Sequence, residues 1–129
     1  LVFAKSKLLK QVGKLGIGPG LFNINEPVTF GLPIVLNPIL MIPFILTPVA
    51  VMTVQYFGTA IGLFPLCNYM VPWTTPVFIS GFLMTGSLMG VVAQIVSFVV
   101  AFFIWLPFIR AWDKTNYKME QEAEIAAAE

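Results

Sequence analysis

The sequence has little charge, no histidine and one cysteine. Only 10% of its 129 residues are Asp, Glu, Lys or Arg, whereas 58% are hydrophobic. A soluble domain carries about 25% charged residues, so this composition excludes an ordinary globular domain. A single cysteine cannot form a disulfide within the chain. With no histidine and one isolated carboxylate, a metal site with the usual number of ligands is not expected, and we predict no metal or other cofactor.

Two apolar stretches are long enough to cross a bilayer. Residues 39–64 and 78–109 each exceed the roughly 20 residues needed to span a hydrocarbon core about 30 Å thick. Pro43 and Pro48 are expected to bend the first span. In the second, the small and polar residues of 80–87 indicate a kink or a half-helix near the start. The sequence therefore predicts an all-α membrane protein with two transmembrane helices.

The basic residues lie on both sides of this apolar region. Lys5, Lys7, Lys10 and Lys14 precede it, and Arg110, Lys114 and Lys118 follow it. An excess of Lys and Arg marks cytoplasmic segments. We therefore expect a multi-pass protein of the cell membrane, in contact with the lipid bilayer, with both termini cytoplasmic.

Four further segments complete the predicted organisation. Residues 1–16 have the spacing of a basic amphipathic helix at the membrane interface, and Gly16–Gly20 is expected to end it. Residues 17–38 are predicted to be a re-entrant segment, because three prolines interrupt a stretch too short to cross alone. Residues 65–77 are a proline-rich loop, expected on the outer side. Residues 110–129 are a polar cytoplasmic tail for which a helix is plausible.

Glu26 is the single formal charge between Lys14 and Arg110. An ionisable residue at membrane depth costs about 2.5–3.5 kcal/mol on insertion scales and is usually functional. The alternatives are that Glu26 caps a helix or pairs with a lysine elsewhere in a larger protein. We take Glu26 as the main candidate site residue.

Two polar residues followed by proline predict helix starts within 17–38. Glu26-Pro27 and Asn37-Pro38 both place proline where a first helical residue is well tolerated. The polar side chain before it can cap the new helix. Non-helical backbone between such helices is stable at membrane depth only inside protein or beside a wet cavity.

The residues around Glu26 suit a sugar. Asn23 and Asn25 add two amides, which donate and accept hydrogen bonds as sugar hydroxyls do. Phe30 is a ring that could lie against the apolar face of a pyranose. Trp73 in the 65–77 loop is a further candidate for stacking, with anchoring at the headgroup level as the alternative.

Two pairs of glycines and the single cysteine are predicted to have structural roles. Gly58 with Gly62, and Gly86 with Gly90, allow close helix packing, more plausibly within the chain than in a dimer. Cys67 has no neighbouring cation that would lower its pKa, so we expect a buried apolar residue and not a phosphoryl carrier.

Two motifs together resemble those of a known family. Phe22-Asn-Ile-Asn-Glu-Pro-Val-Thr-Phe-Gly-Leu-Pro-Ile-Val-Leu-Asn-Pro38 and Val71-Pro-Trp-Thr-Thr-Pro76, followed by Ile79-Ser-Gly-Phe82, are similar to signatures of bacterial phosphotransferase-system permeases. The family is enzyme IIC of the lactose/cellobiose/diacetylchitobiose class. The resemblance covers essentially the whole chain but only the C-terminal third or so of such a permease. We therefore expect a C-terminal fragment of its transport domain.

The resemblance implies a function and partners. Members carry a β-linked disaccharide inward, and a cytosolic IIB phosphocarrier then phosphorylates it. The full-length proteins are homodimers, and nucleic acid is not an expected partner. Glu26 matches the motif glutamate that hydrogen-bonds the sugar, and Asn23 and Asn25 match neighbouring positions. The family histidine lies upstream and this chain has none, so the segment is not expected to hold a complete site. The resemblance also implies a membrane component of a sugar phosphotransferase, with no phosphoryl-carrying residue in this chain.

Two other hypotheses follow from the residues. One is an ion-coupled secondary transporter with Glu26 as its coupling site, because broken helices around a midplane acid suit that mechanism. The other is a scaffold subunit of a membrane complex. Loss of uptake with an uncoupler, even with ample phosphoenolpyruvate, would favour ion coupling.

Overall fold

A computed structural model describes residues 1, 3–32 and 34–127. Within these residues the chain is helical and has no strand, which confirms the all-α prediction. The helices are α1 (Lys7–Leu21), α2 (Glu26–Gly31), α3 (Pro38–Ala60), α4 (Ile79–Thr85) and α5 (Leu88–Ala126), with a 3₁₀ turn at Ile34–Leu36.

Helices α3 and α5 are long and apolar enough to cross a membrane. With 23 and 39 residues, they measure roughly 34 and 58 Å at 1.5 Å per residue. They pack on each other, and the Gln55 side chain of α3 donates to the Ala93 carbonyl oxygen of α5 at 2.8 Å and to the Ser97 hydroxyl. Most of their apolar side chains face outward, as expected of helices that meet lipid or other helices.

Helix starts occur at both predicted polar-proline pairs. α2 begins at Glu26 and α3 at Pro38. Asn37 Oδ1 accepts from the backbone N–H groups of Ile39 (3.0 Å) and Leu40 (3.4 Å), so it caps α3 as its sequence context predicts. The expected interruption at Pro33 lies outside the described residues.

The predicted break at Gly16–Gly20 is wrong, because α1 continues through these residues to Leu21. Gly16 lies against α2, where an added Cβ would be 2.6 Å from Val28 Cγ2. The glycine therefore allows close packing, which offsets its low helix propensity. Pro19 removes one N–H close to the end of the helix, where the Phe22 N–H bonds to the Pro19 oxygen (2.9 Å).

The second apolar stretch contains the predicted half-helix. α4 ends at Gly86, whose φ of 65° is left-handed, and Ser87 Oγ accepts from the Met89 N–H (3.2 Å) to start α5. α5 then runs without a break into the polar tail. The tail is helical as predicted, but it is one element with the span because no glycine or proline stands between Arg110 and Ala126.

One glycine of each predicted pair is closely packed within the chain, whereas a Cβ at Gly62 would meet nothing within 4 Å and one at Gly86 would make only ordinary contact with Tyr69 (3.7 Å). A Cβ at Gly58 would overlap the Phe64 ring, and one at Gly90 would overlap the Gly81 carbonyl oxygen. The prediction that Cys67 is buried is wrong, because the residue is exposed. It belongs to the segment between α3 and α4.

The start of α1 is bound to the polar end of α5. Asp113 carboxylate oxygens accept from the backbone N–H groups of Lys5 (2.8 Å) and Ser6 (2.8 Å). Glu120 accepts from the Ser6 hydroxyl (2.8 Å) and from the backbone N–H of Lys7 (3.0 Å), and Lys7 pairs with Glu124. We call this set of contacts the clasp.

The clasp changes the titration of two of its members, both outside the apolar spans. The Lys7 N–H and the Ser6 hydroxyl donate to the Glu120 carboxylate and lower its pKa. The hydrogen bond to Glu124, together with the attraction of its charge, raises the pKa of Lys7. Both groups are therefore charged at neutral pH, and carboxylates at the first turn of α1 suit the positive end of the helix dipole.

Candidate functional site

Glu26 is the first residue of α2, and its carboxylate is exposed. Among the described residues it has no hydrogen bond and no ion pair within 4 Å. The two alternative roles considered for it, a helix cap and a structural ion pair, therefore have no support within this part of the chain. A free carboxylate offers two oxygens that accept from a ligand.

Asn25 precedes Glu26 and is also exposed. Its side chain makes no capping bond to α2. Its carbonyl oxygen accepts from the backbone N–H groups of Val28 and Thr29 (both 3.0 Å) and from the Thr29 hydroxyl (3.1 Å). The backbone of Asn25 thus fixes the first turn of α2, while its amide remains available.

Asn23 joins the Glu26 segment to the loop that carries Trp73. Its Nδ2 donates to the carbonyl oxygens of Thr75 (2.8 Å) and Trp73 (3.4 Å). The Val77 N–H donates to the Leu21 oxygen (3.1 Å), which gives a second bond between the same segments. The two motifs, about fifty residues apart in sequence, are therefore adjacent in the fold.

The two aromatic candidates are exposed. The Phe30 side chain is 79% exposed and that of Trp73 is 68% exposed. The Trp73 backbone carbonyl accepts a hydrogen bond from Asn23. Phe30, by contrast, lies on α2. Both rings have open faces on which a sugar or a further part of the protein could lie.

A cleft of about 600 Å³ opens beside Asn25. It is lined by the N-terminal residues, α2, α3 and α5, with Asn25, Thr29, Arg110 and Asp113 among its polar groups. Its volume is in the range of small-molecule sites. Of the five candidate residues, Asn25 alone lines it, so the cleft adjoins the Glu26 segment without containing the Glu26 side chain.

A strained residue lies between the Trp73 loop and α4. Phe78 has φ 70° and ψ −43°. This positive φ lies in the left-handed half of backbone space but outside the αL helical region, and it is unfavourable for a bulky side chain. Its N–H donates to Gln94 Oε1 of α5 (2.9 Å). Sequence reasoning missed Gln94, because it belongs to no motif. The available signal was a polar side chain in an apolar stretch.

The family model described as "Phosphotransferase system, EIIC" matches residues 1–48. An oligo-beta-mannoside-specific EIIC component of Bacillus subtilis (strain 168) is 48% identical over 126 residues, which are 97% of this chain and 28% of the relative. A cellobiose-specific EIIC component of Geobacillus stearothermophilus is 52% identical over 120 residues, 92% of this chain and 27% of the relative.

A lactose-specific EIICB component of Lacticaseibacillus casei is 38% identical over 126 residues, 96% of this chain and 22% of the relative. The chain thus spans about a quarter of the length of these curated relatives. No solved structure gives a significant match.

Proposed function

Because the chain belongs to the EIIC components of the phosphotransferase system, we propose that it is part of a sugar permease for a disaccharide of the cellobiose, chitobiose and lactose class. The permease binds the sugar and carries it inward, where a IIB partner phosphorylates it. The relatives named above are specific for oligo-beta-mannoside, cellobiose and lactose, which supports a β-linked sugar as substrate.

The observation that carries this proposal is the contact between the two motifs. The Asn23 amide bonds to Thr75 and Trp73, so the exposed carboxylate of Glu26 and the exposed ring of Trp73 belong to one joined region. A carboxylate and an aromatic ring carried by two joined segments match the chemistry of a sugar, which has hydroxyl groups and an apolar ring face.

Glu26 would supply the strongest single contact. Hydrogen bonds from hydroxyl groups to an ionised carboxylate are charge-assisted and contribute roughly 1.5–3 kcal/mol each. Asn25, whose amide is unused in α2, adds neutral donors and acceptors on the side of the cleft. Asn23 contributes mainly by holding the loop, since its Nδ2 already donates twice.

The chain is a membrane protein, as its family and its two long apolar helices indicate. We further propose that it is multi-pass, that the ends of this segment are cytoplasmic, and that the whole permease is a homodimer. We propose that the phosphoryl group comes from a IIB partner; one relative is named an EIICB component.

The substitution Glu26→Gln in the full-length permease tests the site. It keeps the size of the side chain but removes its charge and half of its accepting capacity. We expect disaccharide affinity and uptake to fall at least about tenfold, equivalent to about 1.4 kcal/mol, with little change in thermal stability. Glu122→Gln is the matched control, because Glu122 is an exposed carboxylate of the polar tail.

Unchanged sugar binding with a large loss of stability would reject the sugar site and leave Glu26 with a structural role. Uptake that stops when an uncoupler is added, with phosphoenolpyruvate present, would instead favour the ion-coupled alternative.

A further inference from the structure

Gln94 is a polar side chain in the apolar part of α5, and both ends of its amide are bonded. Oε1 accepts from the Phe78 backbone N–H at 2.9 Å, and Nε2 donates to the Ser80 hydroxyl at 2.8 Å. Ser80 is buried, with 5% of its surface exposed. In apolar surroundings an amide without partners is unfavourable, so these two bonds fix the start of α4 against α5.

The Gln94 amide is also in close contact with the α4 backbone. A Cβ at Gly81 would lie 2.6 Å from Gln94 Oε1 and 2.8 Å from the Gly90 carbonyl oxygen. The glycine therefore leaves the room that the amide occupies. Moving Gln94 would require α4 to move as well.

The residue that Gln94 holds is the strained one. A left-handed conformation of a bulky residue such as Phe78 persists only where the surrounding structure determines it. Two contacts surround it here: the Phe78 N–H donates to Gln94 Oε1 (2.9 Å), and the Phe78 carbonyl oxygen accepts from the Phe82 N–H (3.3 Å). Of the two, the bond to Gln94 is the one that reaches another helix. If this bond is lost, we expect Phe78 to relax toward the allowed region and to change the direction of the chain that precedes it.

That preceding chain is the Trp73 loop, residues 72–77. The Ser80 N–H donates to the Pro76 oxygen (3.0 Å), so the loop is continuous with the start of α4. Its other side is held by the Asn23 amide on the Thr75 oxygen and by the Val77 N–H on the Leu21 oxygen. The loop is thus fixed between Gln94 on α5 and the segment that leads to Glu26.

We infer that Gln94 is a positioning residue of the sugar site: by holding Phe78 in its left-handed conformation, it sets where the Trp73 loop lies relative to Glu26. The inference rests on the proposed function, and it assigns to Gln94 no contact with the sugar. Gln94 acts through the loop.

The test uses Gln94→Met in the full-length permease, which keeps the length of the side chain and removes both bonds. We expect disaccharide affinity to fall about fivefold, the lower end of the range for coupled sites. Gln55→Met is the matched control. It removes another interhelical glutamine amide, bonded to Ala93 and Ser97 of the same helix α5, without touching the loop. It should lower the thermal midpoint to a similar extent and leave the affinity unchanged.

Repeating the substitution in a Phe78→Gly protein separates a positioning role of Gln94 from a role in helix packing alone. Phe78→Gly makes the left-handed conformation available without strain. Because more than half of the Phe78 surface is covered, the Phe78→Gly protein itself is the reference for affinity and thermal stability in this background. In this background Gln94→Met should change the affinity by no more than about twofold, the scatter expected for uncoupled sites. If Gln94→Met does not accumulate in the membrane, Gln94→Asn, which shortens the amide by one methylene and breaks both bonds, should give the same loss and the same rescue.

Two outcomes would overturn the inference. One is a folded Gln94 variant with unchanged affinity, and the other is an equal loss of affinity with and without the Phe78→Gly substitution. The Glu26→Gln variant is measured alongside. If Glu26→Gln retains the full affinity, the proposed function fails. If Glu26→Gln loses affinity and the Gln94 variants do not, only the positioning role fails.

Discussion

Asn23 combines an uncommon backbone conformation with two hydrogen bonds to a distant loop. Its φ is 60°, which asparagine tolerates better than most residues. The left-handed turn directs the chain from α1 toward Glu26, and the Nδ2 group reaches the Thr75 oxygen. One residue therefore both shapes the Glu26 segment and attaches it to the Trp73 loop.

Two substitutions at Asn23 separate these contributions. Asn23→Gly keeps the left-handed backbone and loses the hydrogen bonds, for which we expect a loss of stability of about 0.5–1.5 kcal/mol. Asn23→Ala loses the bonds and also strains the backbone, which costs about 1–2 kcal/mol more. Thermal midpoints of the full-length permease in detergent should therefore fall in the order wild type, Asn23→Gly, Asn23→Ala. Equal midpoints for the two variants would contradict the conformational part of this explanation.

The candidate residues were predictable from the sequence to different degrees. Glu26 stands out because it is the single charge in a long apolar region. The bond from Asn23 to Thr75 was not predictable, because it joins positions 52 residues apart through a backbone carbonyl, which every residue has. Phe78 carries no sequence signal for its left-handed φ, since such strain depends on the contacts around it.

At the scale of helices, the close packing of α4 on α5 depends on glycine. Gly90→Ala should destabilise the permease by about 1–3 kcal/mol, the usual cost of overpacking, because the new methyl group would overlap the Gly81 carbonyl oxygen. Gly18→Ala in α1 is the matched control, since nothing lies within 4 Å of a Cβ there. It should be neutral or stabilising by up to about 1 kcal/mol. The measurement is thermal unfolding of both variants, and similar losses for both would count against the packing explanation.

The clasp should respond to pH in a direction set by its pKa shifts. The pKa of Glu120 is lowered in the fold, because the Lys7 N–H and the Ser6 hydroxyl bond to it. Its contribution is therefore complete above the ordinary glutamate value of about 4.3 and is lost as the pH falls through the lower folded value. The pKa of Lys7 is raised by Glu124, so its contribution is complete below about 10.4 and is lost at higher pH.

Spin labels at Lys10 and Lys118, which are both exposed, can measure this effect in the full-length permease. The distribution of distances between them should be narrow at neutral pH and broaden in acid. Glu120→Gln should broaden it already at neutral pH, whereas Glu122→Gln should behave as the unmodified protein. A narrow distribution for Glu120→Gln at neutral pH would show that the Glu120 charge is not needed to hold α1, since the contacts of Asp113 and Glu124 remain.

At the scale of the whole molecule, the proposed orientation can be tested by labelling. With both ends of the segment cytoplasmic, a cysteine at Asn68 should react with an impermeant reagent added outside intact cells. Cysteines at Lys10 and Lys114 should react only after the membrane is opened. The native Cys67 is exposed and is first replaced by serine. Reaction at position 114 with reagent added outside would contradict the proposed cytoplasmic location of this end.

The helices were more predictable from the sequence than the contacts between the start of α1 and the polar end of α5. Length and hydropathy were sufficient for the two spanning helices, and the polar-proline pairs were sufficient for the starts of α2 and α3. α1 continues through Gly16–Gly20, and at Gly16 it packs against Val28 of another helix, a contact that no local pattern predicts. The clasp depends on carboxylates more than a hundred residues away from the backbone groups that they accept from. Such pairings follow from tertiary structure and leave no local pattern.

The clasp also has a consequence for the order in which parts of the chain fold during synthesis. Glu120, which accepts from the Leu8 N–H, follows it by 112 residues in the chain. At about 5–20 residues per second, the ribosome needs roughly 6–22 s to add them. During that time the first turn of α1 lacks these acceptors, and both spanning helices must be synthesised before the acceptors arrive. The beginning of this segment is therefore among the last parts of it to reach its final structure.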